Sequence, residues 1–190
     1  ALHDVRDAYL AILAASPKQQ PVLLVGDSSG GGLALALMLY AKDNQLPLPS
    51  AGVLLSPWLD LADTGDTRKT LSGDDPFLGL GWGVIDLAKA YAGDENLKHP
   101  YISPLYGDPS GLPPILLQLG TKELLLSDSI RFAQKARASS VKVELDIWDG
   151  MWHVFQAIPG LPESNKALLN IKRFAQSHIN GAANTANANP

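Results

Sequence analysis

The sequence contains no cysteine among its 190 residues. Disulfide bonds, thiolate nucleophiles and cysteine-ligated metals are therefore excluded, although this absence does not indicate a redox compartment. No apolar run approaches the roughly 20 residues that a membrane-spanning helix needs. The first ten residues, ALHDVRDAYL, lack the basic and then apolar order of a signal peptide. We therefore expect a cytoplasmic chain with no membrane span.

The chain also has little net charge and no clustered stripe of lysine or arginine. Its formal net charge is -4, from 15 basic and 19 acidic side chains. A mildly acidic chain gains nothing electrostatically from a phosphate backbone, so we expect no nucleic-acid partner. Hydrophobic residues make up 46% and charged residues 18%, which is an ordinary globular composition. The length suits one domain with a sizeable core.

Segments with strand character alternate with segments of helical spacing. Apolar runs without alternation predict buried strands at 21–26, 51–58 and 113–120, and an alternating run predicts a strand nearer the sheet edge at 141–148. Helical spacing predicts four helices: one that ends near Ser16, one over 29–42, one that begins near Ser127 and one over 163–179. This order favours an α/β fold with a mostly parallel sheet flanked by helices.

Two segments depart from the alternation. A long connection at about 62–111, with a helix near 84–92, interrupts the strand order, and such connections are often lids. The stretch 181–190, GAANTANANP, is small, polar and aperiodic, which predicts a disordered tail. We therefore expect one domain over 1–180 with a lid-like insertion.

The strongest chemical signal is the motif Gly26-Asp27-Ser28-Ser29-Gly30, which follows a predicted strand and precedes a predicted helix. In this setting Gly-x-Ser-x-Gly is the nucleophile elbow, which predicts that Ser28 is a nucleophile in a strained backbone conformation. Side chains at either glycine position are expected to collide across so sharp a turn. The backbone N–H of Ser29 is expected to donate to an oxyanion. A glycine-rich packing turn or a phosphate loop is the alternative, but no Gly-Lys-Ser/Thr follows.

A serine nucleophile needs a base and an acid that orients it, and elbow enzymes place both later in the chain, on loops after strands. His153 lies in the loop between the last predicted strand and the last helix, which makes it the predicted base. Histidines 3, 99 and 178 fit this position less well. Glu123, in the turn directly after the strand at 113–120, is the predicted acid. Asp128 is the alternative, although an acid at a helix start often serves only the helix dipole.

At these residues the chain resembles the hormone-sensitive-lipase-like carboxylesterases of the α/β-hydrolase fold. The resemblance rests on five collinear motifs: GDSSGGGLA at 26–34, LLSPWLDL at 54–61, YISPLYGDPSGLPP at 101–114, GTKELLLSDS at 120–129 and DGMWHVF at 149–155. It implies that Ser28 is the nucleophile, Glu123 the acid and His153 the base. It further implies that small, often short-chain carboxylic esters are the substrates and that no metal or cofactor is needed.

One family feature is missing. The family carries a His-Gly-Gly-Gly loop well upstream of the elbow, whose N–H groups supply most of the oxyanion hole, and no such motif precedes Ser28. The resemblance therefore predicts that this chain is the C-terminal part of a longer enzyme rather than a natural short form. It also predicts that the apolar strand at 21–26 needs a neighbour from an absent N-terminal segment, because an exposed apolar edge invites aggregation.

Large apolar residues near the predicted site are candidates for substrate binding. Phe77, Leu80 and Trp82 lie in the insertion, and Trp152 and Phe155 flank His153. For any single one of them, plain core packing is the favoured interpretation.

Two alternative functions remain open. The same triad would serve a serine peptidase or amidase, although nothing in the sequence indicates the extra domain that usually restricts peptidase substrates. A non-catalytic ligand receptor on a hydrolase scaffold would typically lack a triad member, whereas all three candidates are present here.

Overall fold

The computed structural model describes residues 1–16, 20–79 and 83–186. Within them, four parallel strands form one sheet in the order β1-β2-β3-β4. The strands are β1 (Leu23–Asp27), β2 (Ala51–Leu55), β3 (Ile115–Gly120) and β4 (Val143–Trp148). The helices are α1 (Leu2–Ala15), α2 (Ser28–Asp43), α3 (Thr67–Thr70), α4 (Val84–Ala92), α5 (Leu126–Ala138) and α6 (Pro162–Ala186). Short 3-10 turns occupy Pro104–Tyr106 and Phe155–Ala157.

The sheet separates two apolar layers, because successive side chains of a strand point to opposite faces. On one face, α2 and α5 pack against the strands in a cluster that includes Leu35, Met38, Leu54, Leu117 and Phe132. On the other face, Phe174 of α6 packs on Val53 and Leu116. Every residue of β3 is buried, as expected of a central strand covered on both faces.

The predicted α/β architecture, a parallel sheet flanked by helices, is confirmed, and among the described residues β4 lies at an edge of the sheet. Among the described residues β1 pairs with β2 alone, and its Val25 is 60% exposed. The need of this strand for a further neighbour stays a prediction, as does the lid-like role of the connection at 62–111. That connection contains α3 and α4.

The C-terminal boundary differs from the prediction of a disordered tail at 181–190. Helix α6 continues to Ala186, so the first part of that segment prolongs the helix, and residues 187–190 lie outside the described residues. Among the described residues, no helix is both long and apolar enough to cross a bilayer.

Glycines let α2 lie unusually close to the turn after β2. A Cβ on Gly31 would sit 2.7 Å from the Cβ of Pro57, and one on Gly32 would sit 2.2 Å from the carbonyl oxygen of Trp58. At the elbow, a Cβ on Gly26 would sit 2.3 Å from the carbonyl oxygen of Gly30. No non-glycine residue can be accommodated at these three positions without a backbone shift.

The expectation that both elbow glycines are sterically required is wrong for Gly30. A Cβ there would have only the Asp27 side chain within 4 Å, at 3.9 Å. The reason is that Gly30 already lies in the first turn of α2, where its Cβ would point away from the strand.

This asymmetry predicts unequal effects of two alanine substitutions on the free energy of unfolding. Gly26→Ala should lower the free energy of unfolding by about 3 kcal/mol, because a methyl group must displace backbone atoms. Gly30→Ala should change it by less than about 1 kcal/mol, since alanine is a better helix former and meets no atom closely. Urea denaturation of the complete natural protein measures both values. Equal losses for the two variants would contradict the described elbow geometry.

Candidate active site

The carboxyl ends of the four strands meet at one edge of the sheet, and a polar residue follows each strand there. Ser28 follows β1, Ser56 follows β2, Glu123 lies in the turn after β3 and His153 lies in the loop after β4. In open parallel sheets this edge is where ligands bind. The topology therefore gathers residues that are far apart in sequence.

Ser28 stands at the junction of β1 and α2 in a left-handed backbone conformation, with φ of 51°. This conformation is uncommon for a residue with a side chain and costs free energy that the surroundings must supply. Its Oγ lies 2.9 Å from Nε2 of His153. If Ser28 is the donor, Nε2 must be the unprotonated nitrogen, and the imidazole proton then resides on Nδ1.

Nδ1 of His153 faces the carboxylate of Glu123. The distance from Nδ1 to Oε2 is 3.5 Å, and both side chains are buried, at 4% and 0% exposure. This separation is long for a hydrogen bond, but such contacts are often long in unliganded sites and shorten in the reacting complex. The predicted nucleophile, base and acid are thus neighbours in the expected order.

The other oxygen of Glu123 is held by the protein. Oε1 accepts hydrogen bonds from the backbone N–H of Gly120 and from Oγ of Ser56, the latter at 2.9 Å. The Ser56 hydroxyl also accepts from the backbone N–H of Val154, at 3.0 Å. Ser56 was missed by the sequence analysis, although it lies within the LLSPWLDL motif, because nothing in that motif reveals that β2 lies beside β3.

Asp128, the alternative acid, serves a different part of the molecule. Its Oδ2 accepts from the backbone N–H groups of Leu59 and Asp60, at 3.2 and 3.0 Å. Burial raises the pKa of Asp128 to about 7, with the Arg68 charge opposing and the Asp60 charge adding to the rise. Among the described residues no hydrogen bond or ion pair joins Asp128 to His153, so the geometry favours Glu123 as the acid.

Asp75, a further buried carboxylate, also escaped the sequence analysis. Its Oδ1 accepts from the backbone N–H groups of Phe77 and Leu78, at 2.9 and 3.0 Å. Its Oδ2 accepts from the N–H of Leu124, at 3.1 Å. Asp75 therefore fastens the segment that bears Phe77 to the turn that bears Glu123.

The predicted substrate-binding aromatics have different surroundings. Phe77 is 56% exposed, and its ring centroid lies 6.2 Å from that of His153, so it borders the site. Trp152 is half-buried. The prediction for Phe155 is wrong: this side chain is fully buried and packs against Trp148, with ring centroids 5.8 Å apart, which leaves no surface for a substrate. Leu80 and Trp82 lie outside the described residues.

Ser29 lies in the first turn of α2, where backbone N–H groups have no intrahelical acceptor. It borders a mainly apolar cavity of about 390 Å³. Other lining residues are Gly30, Leu33, Leu87, Tyr91 and Tyr101. An apolar hollow next to a helix N-terminus suits an uncharged ligand that bears one polar oxygen. Within the described ranges, no cluster of three His, Cys, Asp or Glu side chains could hold a metal ion.

Comparison with known proteins assigns the chain to a family. Residues 1–157 match the family described as having the alpha/beta hydrolase fold. The chain belongs to this α/β-hydrolase family. Within the family it is 38% identical over 178 residues to an esterase of Acinetobacter venetianus, covering 93% of this chain and 59% of the esterase. It is 36% identical over 169 residues to an acetyl-hydrolase of Streptomyces hygroscopicus, covering 88% of this chain and 56% of that protein.

Solved structures of family members are also similar. A hormone-sensitive lipase from a metagenome library superposes with a TM-score of 0.89 at 38% identity, covering 94% of this chain and 60% of the other. An esterase from the bacterial hormone-sensitive lipase family gives 0.89 at 39% identity, with the same coverage. The resemblance to the hormone-sensitive-lipase-like group is therefore confirmed. The chain spans about three fifths of the length of these relatives.

The raised pKa of Asp128 predicts a pH-dependent difference in stability between the wild type and Asp128→Asn. The folded pKa, about 7, lies above the ordinary value of 3.8, so the folded state retains a proton that the unfolded state loses. The contribution of Asp128 to stability is therefore full below about pH 4 and falls as the pH rises to about 7. Asparagine is neutral throughout, and its single oxygen can accept both bonds that now reach Oδ2.

The free energy of unfolding of Asp128→Asn, relative to that of the wild type, should therefore rise by roughly 3 kcal/mol as the pH increases from about 4.5 to about 7.5. Urea midpoints of the two proteins at both pH values measure this change. A difference between the proteins that stays constant with pH would contradict the assignment.

Proposed function

We propose that the protein hydrolyses small, short-chain carboxylic esters by acyl transfer through Ser28. The observation that supports this most strongly is the 2.9 Å contact between Oγ of Ser28 and Nε2 of His153, with the Glu123 carboxylate behind the imidazole. Relatives described as an esterase and an acetyl-hydrolase support the same reaction class.

The reaction has two steps. As Oγ of Ser28 attacks the ester carbonyl, Nε2 of His153 takes its proton, and Glu123 stabilises the imidazolium that forms. The carbonyl oxygen becomes an oxyanion, the alcohol departs with the proton from His153, and an acyl group remains on Ser28. Water then attacks this ester in the same way and regenerates the serine.

The oxyanion requires N–H donors close to Ser28. The backbone N–H of Ser29 is one, and it lies at the positive end of the α2 dipole. Loss of one such donor typically costs about 10²–10³ in rate. We propose that further donors come from an N-terminal segment like the upstream loop of the family, and that full activity requires that segment.

The cavity beside Ser29 indicates the substrate class. Its lining is mainly apolar, and its volume of about 390 Å³ is at the small end of the range for ligand pockets, which supports a small uncharged group. The proposed chemistry uses only protein groups, so we propose no cofactor and no metal.

A fluorophosphonate probe, applied to the complete natural protein, tests the proposed nucleophile and base. We expect labelling at Ser28, which should disappear in Ser28→Ala. In His153→Ala the labelling rate should fall by at least about 10³, because the Ser28 hydroxyl is then not activated. Peptide mapping locates the label. A complete protein that does not react would instead favour a receptor on a hydrolase scaffold.

A matched pair of carboxylate variants tests the acid. Glu123→Gln should lower kcat for p-nitrophenyl acetate by about 10²–10⁴, because an amide cannot stabilise the imidazolium. Asp128 is also a buried acid and lies close to Glu123 in sequence. Its variant Asp128→Asn should leave kcat within about threefold at the same pH. The opposite ranking would transfer the role to Asp128.

Hydrolysis of matched ester and amide substrates separates an esterase from a peptidase or amidase. We expect kcat/KM for p-nitrophenyl acetate to exceed that for p-nitroacetanilide by more than about 10³, since no observed group is placed to help an amine depart beyond His153 itself. Comparable values would favour the amidase.

A further inference from the structure

We infer that Ser56 is a positioning residue that fixes the acid and the base of the site relative to each other; this inference rests on the proposed function. Ser56 lies directly after β2 and is fully buried, with 0% exposure. Its hydroxyl contacts the carboxylate of Glu123 and the residue after His153. Among the described residues no hydrogen bond joins its hydroxyl to Ser28, so it acts through other groups.

The directions of the two hydrogen bonds follow from the donors available. The backbone N–H of Val154 can only donate, so it uses a lone pair of the Ser56 oxygen at 3.0 Å. The hydroxyl proton is then left to the Glu123 carboxylate, whose Oε1 lies at 2.9 Å. Because Ser56 is buried, water does not compete for either hydrogen bond, and the Ser56 hydroxyl has one preferred orientation.

The bond to Glu123 decides which carboxylate oxygen faces the imidazole. Oε1 is engaged by Ser56 and by the N–H of Gly120. Oε2 has no such partner and points at Nδ1 of His153, 3.5 Å away. Without the hydroxyl of Ser56 the carboxylate would be held by one backbone donor, and rotation of its plane would no longer be restrained.

The bond to Val154 restrains the loop that bears the base. Val154 has φ of 51°, which is a genuine outlier for a β-branched residue. Such a conformation persists only where surrounding contacts hold it. Ser56, itself at φ of 44°, supplies one of these contacts immediately after His153. The same hydroxyl therefore controls the position of the imidazole from one side and of its carboxylate from the other.

The test combines Ser56→Ala with Glu123→Gln in a double-mutant cycle on the complete natural protein, with p-nitrophenyl acetate as substrate. Ser56→Ala should lower kcat by about 10–100-fold, as expected for loss of a hydrogen bond to a charged group, with KM within about threefold. In the Glu123→Gln background the same change should lower kcat by less than about threefold, because the carboxylate that Ser56 orients is already gone.

A matched serine controls for simple loss of a buried hydroxyl. Ser103 is also fully buried, accepts from the N–H of Leu61 at 2.8 Å and donates to the carbonyl oxygen of Leu97 at 2.5 Å. Ser103→Ala should destabilise the fold by a similar amount yet leave kcat within about threefold. Ser56→Gly, which tolerates the positive φ, should lose kcat like Ser56→Ala and gives a second variant if alanine does not fold.

The outcomes separate this inference from the function on which it rests. If the wild type hydrolyses the ester and Ser28→Ala does not, the function stands. A kcat of Ser56→Ala within threefold of the wild type would then overturn the inference alone. An equal fall in both Glu123 backgrounds would also overturn it, since that is the result of general structural damage. An inactive wild-type protein would overturn both.

Discussion

A buried carboxylate is the constraint on which the site depends. Glu123 has no exposed surface, and an ionised group without water must find hydrogen-bond donors within the protein. Two donors come from different strand ends, the N–H of Gly120 at the end of β3 and the hydroxyl of Ser56 after β2, while the imidazole of His153 after β4 lies 3.5 Å from the other carboxylate oxygen. The contacts of the Glu123 carboxylate therefore require β2, β3 and β4 to end at defined positions relative to one another.

Other buried acids extend the same principle to the long connection between β2 and β3. Burial alone would raise the pKa of Asp60, but hydrogen bonds from Thr64, Tyr106 and Arg131 outweigh it and hold that pKa below its ordinary value. Asp128 receives the N–H of Asp60 and of Leu59. The connection is thus attached to α5 through hydrogen bonds to buried carboxylates rather than through strand pairing.

Much of this arrangement could be predicted from the sequence, because the signals were local. The run PVLLVG followed by Gly-x-Ser-x-Gly predicts a strand, a sharp turn and a helix, and the order of strands then places Ser28 and His153 at one edge. The preference for Glu123 over Asp128 likewise followed from position in the turn. The proximity of these residues agrees with that reasoning, while their roles in catalysis remain a proposal.

The rest depended on contacts between distant segments. Ser56 acquires partners only because β2 lies between β1 and β3, which no local pattern reveals. The prediction that Phe155 binds substrate was wrong because an aromatic residue in a loop has the same sequence pattern whether its side chain faces the core or the solvent. Whether an alanine is tolerated at Gly30 depends on the direction in which the first turn of α2 would point its Cβ atom, and the distances that decide this are a few ångströms.

The close approach of α2 to the turn after β2 has a consequence for selectivity. Gly31 and Gly32 leave no free space against Pro57 and Trp58, and the N–H of Trp58 donates to the carbonyl oxygen of Ser28 at 2.9 Å. The elbow side of the cavity therefore has no free space into which it can move. Leu87 and Tyr91 of α4 are 57% and 45% exposed and face the same hollow from the opposite side. Under the proposed function, selectivity for the size of the substrate would then be set by α4, where substitutions leave the contacts among Ser28, His153 and Glu123 unchanged.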